Sequence, residues 1–205
     1  KGVSGPVLMA NMRQQAEGSG ADLLKDDAVS VNLKTRPFSV ETANNGSLKA
    51  HAVILATGAS AKRLGLVGED LFWSRGISAC AICDGAAPIY AGQELAVVGG
   101  GDSACEEAVY LTKYATKVHL LVRGDRLRAS KVLQDRVLQH PNVDVHMQTI
   151  VLEALGRAER SGTSDGSPLR ALRIKNIGSN DQRELPVRGL FYAIGHQPNT
   201  KFLAG

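Results

Sequence analysis

Two cysteines three positions apart are the residues of this chain best suited to chemistry. Cys80 and Cys83 enclose Ala81 and Ile82, and Asp84 follows directly. Cysteines at this spacing can close a small disulfide ring and can take up two electrons as a hydride equivalent. A neighbouring carboxylate can donate or accept the proton during that transfer. The motif therefore predicts a redox site with Cys80, Cys83 and Asp84 as its catalytic residues.

Two other roles for this cysteine pair stay open at this point. A zinc site needs four ligands, and the sequence shows no second cysteine pair and no close histidine pair. We therefore predict no metal site. A pair of inert buried thiols is the second alternative. The third cysteine, Cys105, falls in a helical pattern and is expected to be a small buried hydrophobe.

A glycine-rich turn between a predicted strand and a predicted helix is the second chemical motif. Gly99 allows the tight turn, Gly101 lets the backbone approach a pyrophosphate, and the small Ala104 lets helix and strand pack closely. The helix N-terminus at Asp102 and Ser103 offers free N–H groups and partial positive charge to phosphate. We expect a dinucleotide site here, with a ligand-free turn as the alternative.

The end of the following predicted strand indicates which dinucleotide binds. An NAD site usually has an acidic residue there, whereas an NADP site has arginine for the additional phosphate. This chain has Arg123, followed by Arg126 and Arg128, and guanidinium groups bind phosphate in bidentate fashion. The pattern favours NADPH, with Arg123 and Arg128 as phosphate ligands. Asp125 is the residue that favours NADH. The alternative to a phosphate site is a solvated basic turn.

Composition bounds the class of protein. The chain has 205 residues, of which 43% are hydrophobic and 21% charged, close to the averages of globular domains. The formal net charge is +4, which is small and too dispersed to predict a nucleic-acid partner. No apolar run approaches the ~18 residues that suggest a membrane span. Three cysteines, an odd number, argue against a secreted disulfide framework and for a reducing compartment.

Hydrophobic periodicity predicts the elements that position these motifs. Helices are expected over residues 8–17, 102–114 and 130–139. Strands are expected over residues 28–33, 38–42, 51–56, 94–98, 117–123, 143–149, 150–155, 169–175 and 189–194. Residues 44–46 predict a hairpin turn, and residues 156–168 an exposed loop. The run at 51–56 is continuously apolar, as in a strand buried on both faces.

Taken together, these residues resemble the low-molecular-weight, FAD-containing NADPH-thioredoxin reductases, in particular their plant and algal members. Residues 78–85, SACAICDG, resemble the redox motif, and residues 99–104, GGGDSA, resemble the NADPH turn. Residues 56–58, ATG, resemble a flavoprotein turn, and residues 193–200, AIGHQPNT, resemble the segment that returns to the flavin domain. The motifs occur in the family's order, with the redox motif just before the NADPH turn.

The resemblance implies an α/β fold in which a three-layer Rossmann-like NADPH domain is inserted in a partial FAD-binding domain of the same type. The implied boundaries are 1–70 for the partial FAD domain, 71–189 for the NADPH domain with the redox motif, and 190–205 for the return. It also implies a homodimer, with no nucleic-acid or membrane partner. The implied compartment is the cytoplasm or the chloroplast.

The resemblance further implies a thioredoxin-disulfide reductase, in which electrons pass from NADPH to FAD, to the disulfide and then to thioredoxin. Cys80 would attack thioredoxin, Cys83 would face the flavin, and Asp84 would handle the proton. The same resemblance places five further residues at the cofactors: Thr57, Gly58, Ile194, Gly195 and His196.

Three departures from the family pattern qualify this expectation. Gly124 stands where a second phosphate-binding arginine is expected. The first FAD-binding glycine turn and the C-terminal Gly-Asp flavin segment are absent, so we expect an incomplete copy that is inactive in isolation. The alternatives are a non-catalytic NADPH-binding remnant and another flavin–dithiol reductase, such as a component of a peroxide-reducing system. A ferredoxin-linked reductase should lack an NADPH site, so Arg123 and Arg128 speak against it.

Overall fold

A computed structural model describes residues 2–157 and 168–203. Its contacts divide the chain into two compact units, one formed by Lys1–Gly58 with Pro198–Gly205 and the other by Ala59–Gln197. The predicted loop at 156–168 falls largely outside the described residues. The domain boundaries expected from the family resemblance stay a prediction.

The first unit consists of a helix and a small antiparallel sheet of order β1-β2-β3. Its elements are α1 (Gly5–Gly18), β1 (Ala28–Asn32), β2 (Phe38–Thr42) and β3 (Gly46–Ala50). A proline in the first turn starts α1 without loss of a hydrogen bond. The predicted hairpin is present, since β2 pairs with β3 across residues 43–45.

The strand predicted at residues 51–56 is wrong. The backbone there has no regular structure, and the side chain of Ile54 is 93% exposed. A strand that is buried on both faces needs a partner strand and a covering layer on each face. Within the described residues, no strand pairs with this segment. The segment is apolar, but no strand or covering layer among the described residues buries it.

The second unit contains a five-stranded sheet of order β5-β12-β6-β7-β8, in which every pairing is parallel. Its strands are β5 (Ile77–Ser78), β6 (Glu94–Val98), β7 (Lys117–Leu121), β8 (Val143–His146) and β12 (Gly189–Tyr192). The helices between these strands are α3 (Ala81–Asp84), α4 (Asp102–Leu111) and α5 (Lys131–Leu138). The predicted βαβ unit is therefore β6, α4 and β7.

The two faces of this sheet are buried against different layers. Leu95 and Val97 of β6 pack in a cluster with Ala104 and Ala108 of α4. Ala96, between them, packs in a second cluster with the antiparallel strands, because successive side chains of a strand point to opposite faces. Those strands are β9 (Thr149–Gly156), β10 (Leu169–Asn176) and β11 (Gln182–Pro186). The three layers confirm the predicted α/β class.

Some elements were not predicted from the sequence. They are α2 (Glu69–Phe72), β3, β4 (Ala59–Ala61), β5, α3, β11 and β13 (His196–Pro198). All seven are short or polar, so periodicity carries little signal for them. The predicted helix at 102–114 ends earlier, at Leu111. Over the part of the chain that is described, no helix has both the length and the apolar character needed to cross a bilayer.

A candidate dithiol and dinucleotide site

The two cysteines of the redox motif form a disulfide at the start of a short helix. Cys80 is the N-cap residue of α3 and is bonded to Cys83. The backbone N–H of Cys83 donates to Cys80 Sγ over 3.2 Å. Cys83 is exposed and Cys80 half-buried. The local backbone therefore places a hydrogen-bond donor beside Cys80 Sγ.

Asp84 is held on the side of α3 by the residue that precedes the motif. Ser78 Oγ donates to Asp84 Oδ2 over 2.6 Å, and Ser78 Oγ in turn accepts the N–H of Cys80 over 3.0 Å. Burial, and after it the charge of Asp84, raises the pKa of Tyr90 to about 12. Tyr90 therefore keeps its proton at neutral pH, and Asp84 is the acidic group near the cysteines.

Helix α3 packs closely on α4. Ala81 of α3 is 1% exposed and belongs to the same core cluster as Leu111 of α4. A Cβ on Gly85, at the end of α3, would lie 2.5 Å from Leu111 Cδ2 and 2.5 Å from the Ala81 carbonyl oxygen. Only glycine fits at such a close approach. The disulfide is therefore carried by a helix that packs against the helix of the glycine turn.

The glycine turn between β6 and α4 has the close packing that its sequence predicts. A Cβ on Gly99 would lie 2.5 Å from the Ala193 carbonyl oxygen and 2.8 Å from Ala104 Cβ, and Ala104 is fully buried. At Gly101 a Cβ would meet nothing within 4 Å. Gly99 therefore serves the packing of strand on helix, and Gly101 leaves open space in front of the helix N-terminus, where a phosphate fits.

The arginine-rich loop after β7 is tied to this turn by two hydrogen bonds that its backbone N–H groups donate. The N–H of Arg128 donates to the Gly100 carbonyl oxygen over 2.7 Å. The N–H of Ser130 donates to Asp102 Oδ1 over 2.7 Å. The loop is thereby held beside the N-terminus of α4. Asp102, which the sequence suggested as a cofactor residue, fixes this loop through its side chain.

The turn and the loop line one cavity of about 1130 Å³ inside the second unit. Its lining includes most of the residues predicted for the nucleotide: Gly99, Gly101, Asp102, Ser103, Arg123 and Arg128. Asp125 and Arg126 line it as well. An open glycine backbone, a helix N-terminus and the arginines of the loop after β7 in one cavity fit the phosphates of a dinucleotide.

The residues predicted for the flavin side are distributed over both units. Thr57 and Gly58 belong to the first unit, where their carbonyl oxygens accept hydrogen bonds from Asn199 over 3.1 and 3.0 Å. Gly195 belongs to the second, where its carbonyl oxygen accepts from the Lys62 N–H over 3.1 Å. His196 is exposed, and Ile194 lines the nucleotide cavity.

The fit to FAD is partial. Over the residues that the structure describes, a strand, a glycine turn and a helix follow one another in this way once, at Gly99, and that turn fits the phosphates of a dinucleotide. The residues on the flavin side contribute loops and short strands. The described residues therefore do not make a complete FAD pocket, and we derive no step through the flavin from them.

Two features of this unit were not predicted from the sequence. Glu107 on α4 has a carboxylate oxygen, Oε2, that is buried without a hydrogen-bond partner. His119 and His146, which lie on neighbouring strands, bring their ring nitrogens to 3.0 Å. The sequence indicated no close histidine pair, because separation along the chain says nothing about pairing across strands. The alternation of side chains along β7 and β8 was the available signal, since it indicates which face of the sheet each histidine shares.

Comparison with protein families identifies one match over almost the whole chain. The model described as "Pyridine nucleotide-disulphide oxidoreductase" matches residues 6–205. NADPH-dependent thioredoxin reductase 3 of Arabidopsis thaliana is 53% identical over 204 residues, which cover 100% of this chain and 37% of that protein. Thioredoxin reductase 1 of Saccharomyces cerevisiae is 49% identical over 207 residues, covering 100% of this chain and 62% of that protein.

Solved structures show the same arrangement of elements. The thioredoxin reductase from Giardia duodenalis superposes with a TM-score of 0.78 at 40% identity, covering 98% of this chain and 62% of that one. The Lactococcus lactis thioredoxin reductase in its FR conformation has a TM-score of 0.75 at 30% identity, with the same coverage of 98% and 62%. The chain thus spans less than two thirds of the length of these relatives.

Proposed function

The chain belongs to the pyridine nucleotide-disulphide oxidoreductase family, and on that premise we propose that its protein is a thioredoxin-disulfide reductase that uses NADPH. The observation that carries the proposal is the packing of α3, with its Cys80–Cys83 disulfide, against α4, whose N-terminus opens the nucleotide cavity. One helix thereby supports both the electron acceptor and the site for the electron donor. The similar proteins named thioredoxin reductase support the choice of substrate.

NADPH is assigned to the cavity at the glycine turn. Gly99, Gly101, Ser103 and Ala104 form the turn and the first helical residues that receive the pyrophosphate, with Ala104 as the packing residue behind it. Arg123 and Arg128 bind the additional phosphate, and the hydrogen bond from Arg128 to Gly100 keeps the loop in place. Arg126 lines the same cavity and adds a further positive charge, which offsets the glycine at position 124.

The dithiol carries out the exchange with thioredoxin. Reduction of the Cys80–Cys83 disulfide takes up two electrons and two protons. The Cys80 thiolate attacks one sulfur of the thioredoxin disulfide, which forms a mixed disulfide and releases a thioredoxin thiolate. Cys83 then attacks Cys80 Sγ, which closes the ring again and frees the second thioredoxin sulfur. Asp84 holds and returns the proton of the cysteine pair. The thioredoxin disulfide ends as a dithiol, so electrons and protons balance.

FAD is the second cofactor that we propose, because the family is built on a flavin and a redox disulfide. When bound, FAD would supply two-electron chemistry between nicotinamide and disulfide. The family resemblance assigns Thr57, Gly58, Ile194, Gly195 and His196 to the cofactors. We also propose a homodimer, the NADPH domain at residues 71–189, and a compartment where thiols stay reduced, the cytoplasm or the chloroplast.

An anaerobic visible spectrum of the protein with FAD, before and after NADPH, tests the assignment. We expect a flavin band that bleaches on addition of NADPH, followed by reduction of added thioredoxin. Cys83→Ser should abolish thioredoxin turnover and leave NADPH binding intact. Cys105→Ala is the matched control, since Cys105 is a buried cysteine outside the disulfide. If thioredoxin turnover survives in Cys83→Ser, the redox role of the pair is wrong.

The same experiment distinguishes a second function. A non-catalytic NADPH-binding module is the alternative, because the cavity at the glycine turn is suited to binding a nucleotide whether or not electrons are transferred. Such a module would bind NADPH in the same cavity, retain no flavin and leave thioredoxin oxidised in every variant. A protein that holds flavin and reduces thioredoxin excludes it.

A further inference from the structure

A cluster of metal-ligating side chains lies on the face of the parallel sheet that is opposite to α4. His119 of β7 pairs in register with Asp144 of β8, and His146 follows two positions later. Residues two apart on a strand, and residues in register on a neighbouring strand, share one face. His119 shares its face with Leu121, which packs on the antiparallel layer. The cluster is therefore separate from the dithiol and from the NADPH cavity.

The distances within this cluster suit one small cation. His119 Nδ1 and His146 Nε2 are 3.0 Å apart. One ligand atom from each of His119, Asp144 and His146 lies within 4.8 Å of the other two. We propose that these three side chains bind a divalent zinc ion at the β7–β8 pair. Two imidazoles and one carboxylate are a usual zinc ligand set, with water in the fourth position.

A neighbouring carboxylate fixes the ring of His119 in the form that a metal needs. His119 Nε2 lies 2.9 Å from Glu94 Oε2. An ionised carboxylate only accepts hydrogen bonds, so Nε2 carries a proton, and in the neutral ring Nδ1 has the lone pair. That lone pair is directed at His146. A carboxylate behind a ligating histidine is the usual outer support of a zinc site, and it raises the basicity of the ligand.

A small rearrangement converts the histidine pair into two ligands. When both rings are neutral and no metal is bound, His146 Nε2–H donates to the lone pair of His119 Nδ1. With metal, the proton of neutral His146 moves to its own Nδ1 and Nε2 presents a lone pair. Two nitrogens on one tetrahedral zinc ion lie about 3.3 Å apart, since each Zn–N bond is about 2.0–2.1 Å. The pair needs to open by only a few tenths of an ångström.

The site has an entry path and one built-in competitor. His146 lines a cavity of about 380 Å³, which admits the ion and its water. Lys117 Nζ lies 2.9 Å from Asp144 Oδ2, so its positive charge competes with a cation for that carboxylate. Arg183 also lines the cavity. Calcium and magnesium prefer oxygen ligands, so the two imidazoles select zinc over these ions.

Titration calorimetry with zinc chloride, on the full chain with its disulfide oxidised, tests the proposal. We expect one zinc ion per chain, with at least tenfold weaker affinity in His146→Gln and in Asp144→Asn. His51→Gln is the matched control, because His51 is exposed and outside the cluster. Melting curves without zinc show that the variants fold. Magnesium chloride should give no binding heat.

Two further variants change the affinity in opposite directions if the assignment is correct. Lys117→Gln removes the competitor and should tighten zinc binding. Glu94→Gln removes the support of His119 and should weaken it by about 10- to 100-fold. Unchanged affinity in folded His146→Gln and Asp144→Asn, or no binding by the unaltered chain, overturns the proposal. Loss of binding in His51→Gln also overturns it.

Discussion

Ser78 Oγ donates a 2.6 Å hydrogen bond to Asp84 Oδ2, so the residue ahead of the cysteine pair holds the residue that follows it. The bond occupies Asp84 Oδ2 and orients the carboxylate. The other oxygen, Oδ1, can then accept a proton or contact a substrate group. Ser78 is buried and Asp84 is exposed. The carboxylate is therefore anchored from within and presented to the outside.

Replacement of Asp84 by asparagine should slow the dithiol chemistry. Asparagine keeps the shape and the hydrogen bond from Ser78 but cannot take up a proton, and general acid–base groups contribute about 10²–10⁴-fold. We expect thioredoxin turnover to fall by about 100-fold while the affinity for NADPH is unchanged. Steady-state rates and NADPH titration measure both. Asp135→Asn, on the surface of α5, is the control, and an equal fall in that variant would contradict the role of Asp84.

Replacement of Arg128 by alanine should weaken NADPH binding far more than NADH binding. The side chain lines the nucleotide cavity, and its backbone is fixed on Gly100. Charge-assisted hydrogen bonds are worth about 1.5–3 kcal/mol, so the dissociation constant for NADPH should rise by about 10- to 100-fold. Fluorescence titration with both nucleotides measures this. Arg136→Ala on α5 should change neither constant, and equal losses for NADPH and NADH would refute the phosphate assignment.

Replacement of Glu107 by glutamine should stabilise the chain at neutral and alkaline pH. Burial raises the pKa of Glu107 from 4.5 to about 7, and its Oε2 atom has no hydrogen-bond partner. The folded state therefore binds a proton that the unfolded state has released, and the stability due to this carboxyl group is lost as pH rises from about 4.5 through 7. Glutamine removes that loss.

Melting temperatures of Glu107→Gln and of the unaltered chain, from pH 5 to 8, check this prediction. The variant's advantage should grow with pH and reach a few degrees at pH 8. Glu106→Gln is the matched control because Glu106 is exposed on the same helix. An advantage that is constant across the pH range would show that ionisation of Glu107 is not the cause.

Replacement of Tyr192 by phenylalanine should destabilise the second unit. The Tyr192 hydroxyl donates to the buried Glu69 Oε1 over 2.6 Å. Glu69 also accepts the backbone N–H groups of Leu64 and Gly65 over 3.0 and 3.2 Å. Burial, and then the bond to Glu69, raises the pKa of Tyr192 well above its usual range, so the donor keeps its proton at every pH used for enzymes.

We expect Tyr192→Phe to lower the free energy of unfolding by about 1–3 kcal/mol, as measured by urea denaturation. Tyr114→Phe is the control, since the Tyr114 hydroxyl is only partly buried and pairs with Tyr110 over 3.2 Å. Tyr114→Phe should lower the free energy of unfolding by less than about 1 kcal/mol. Equal losses in the two variants would mean that the hydrogen bond from Tyr192 to Glu69 contributes little to stability.

Local patterns predicted the part of the fold that depends on neighbours in sequence. Local sequence was enough to predict the strand at 94–98, the glycine turn and the helix from Asp102. Side-chain alternation and the placement of glycine act within a few residues. The cysteine pair was readable for the same reason, since its spacing already permits the disulfide. The roles of these residues in catalysis and cofactor binding stay predictions.

Only the tertiary structure determined which apolar side chains are buried and which polar side chains contact each other. Residues 51–56 have the composition of a buried strand, yet Ile54 is exposed, because burial depends on layers that come from elsewhere in a fold. His119 and His146 are 27 positions apart in sequence and 3.0 Å apart in space. Strand register sets that distance, and register follows from the packing of whole layers, which periodicity in one strand does not encode.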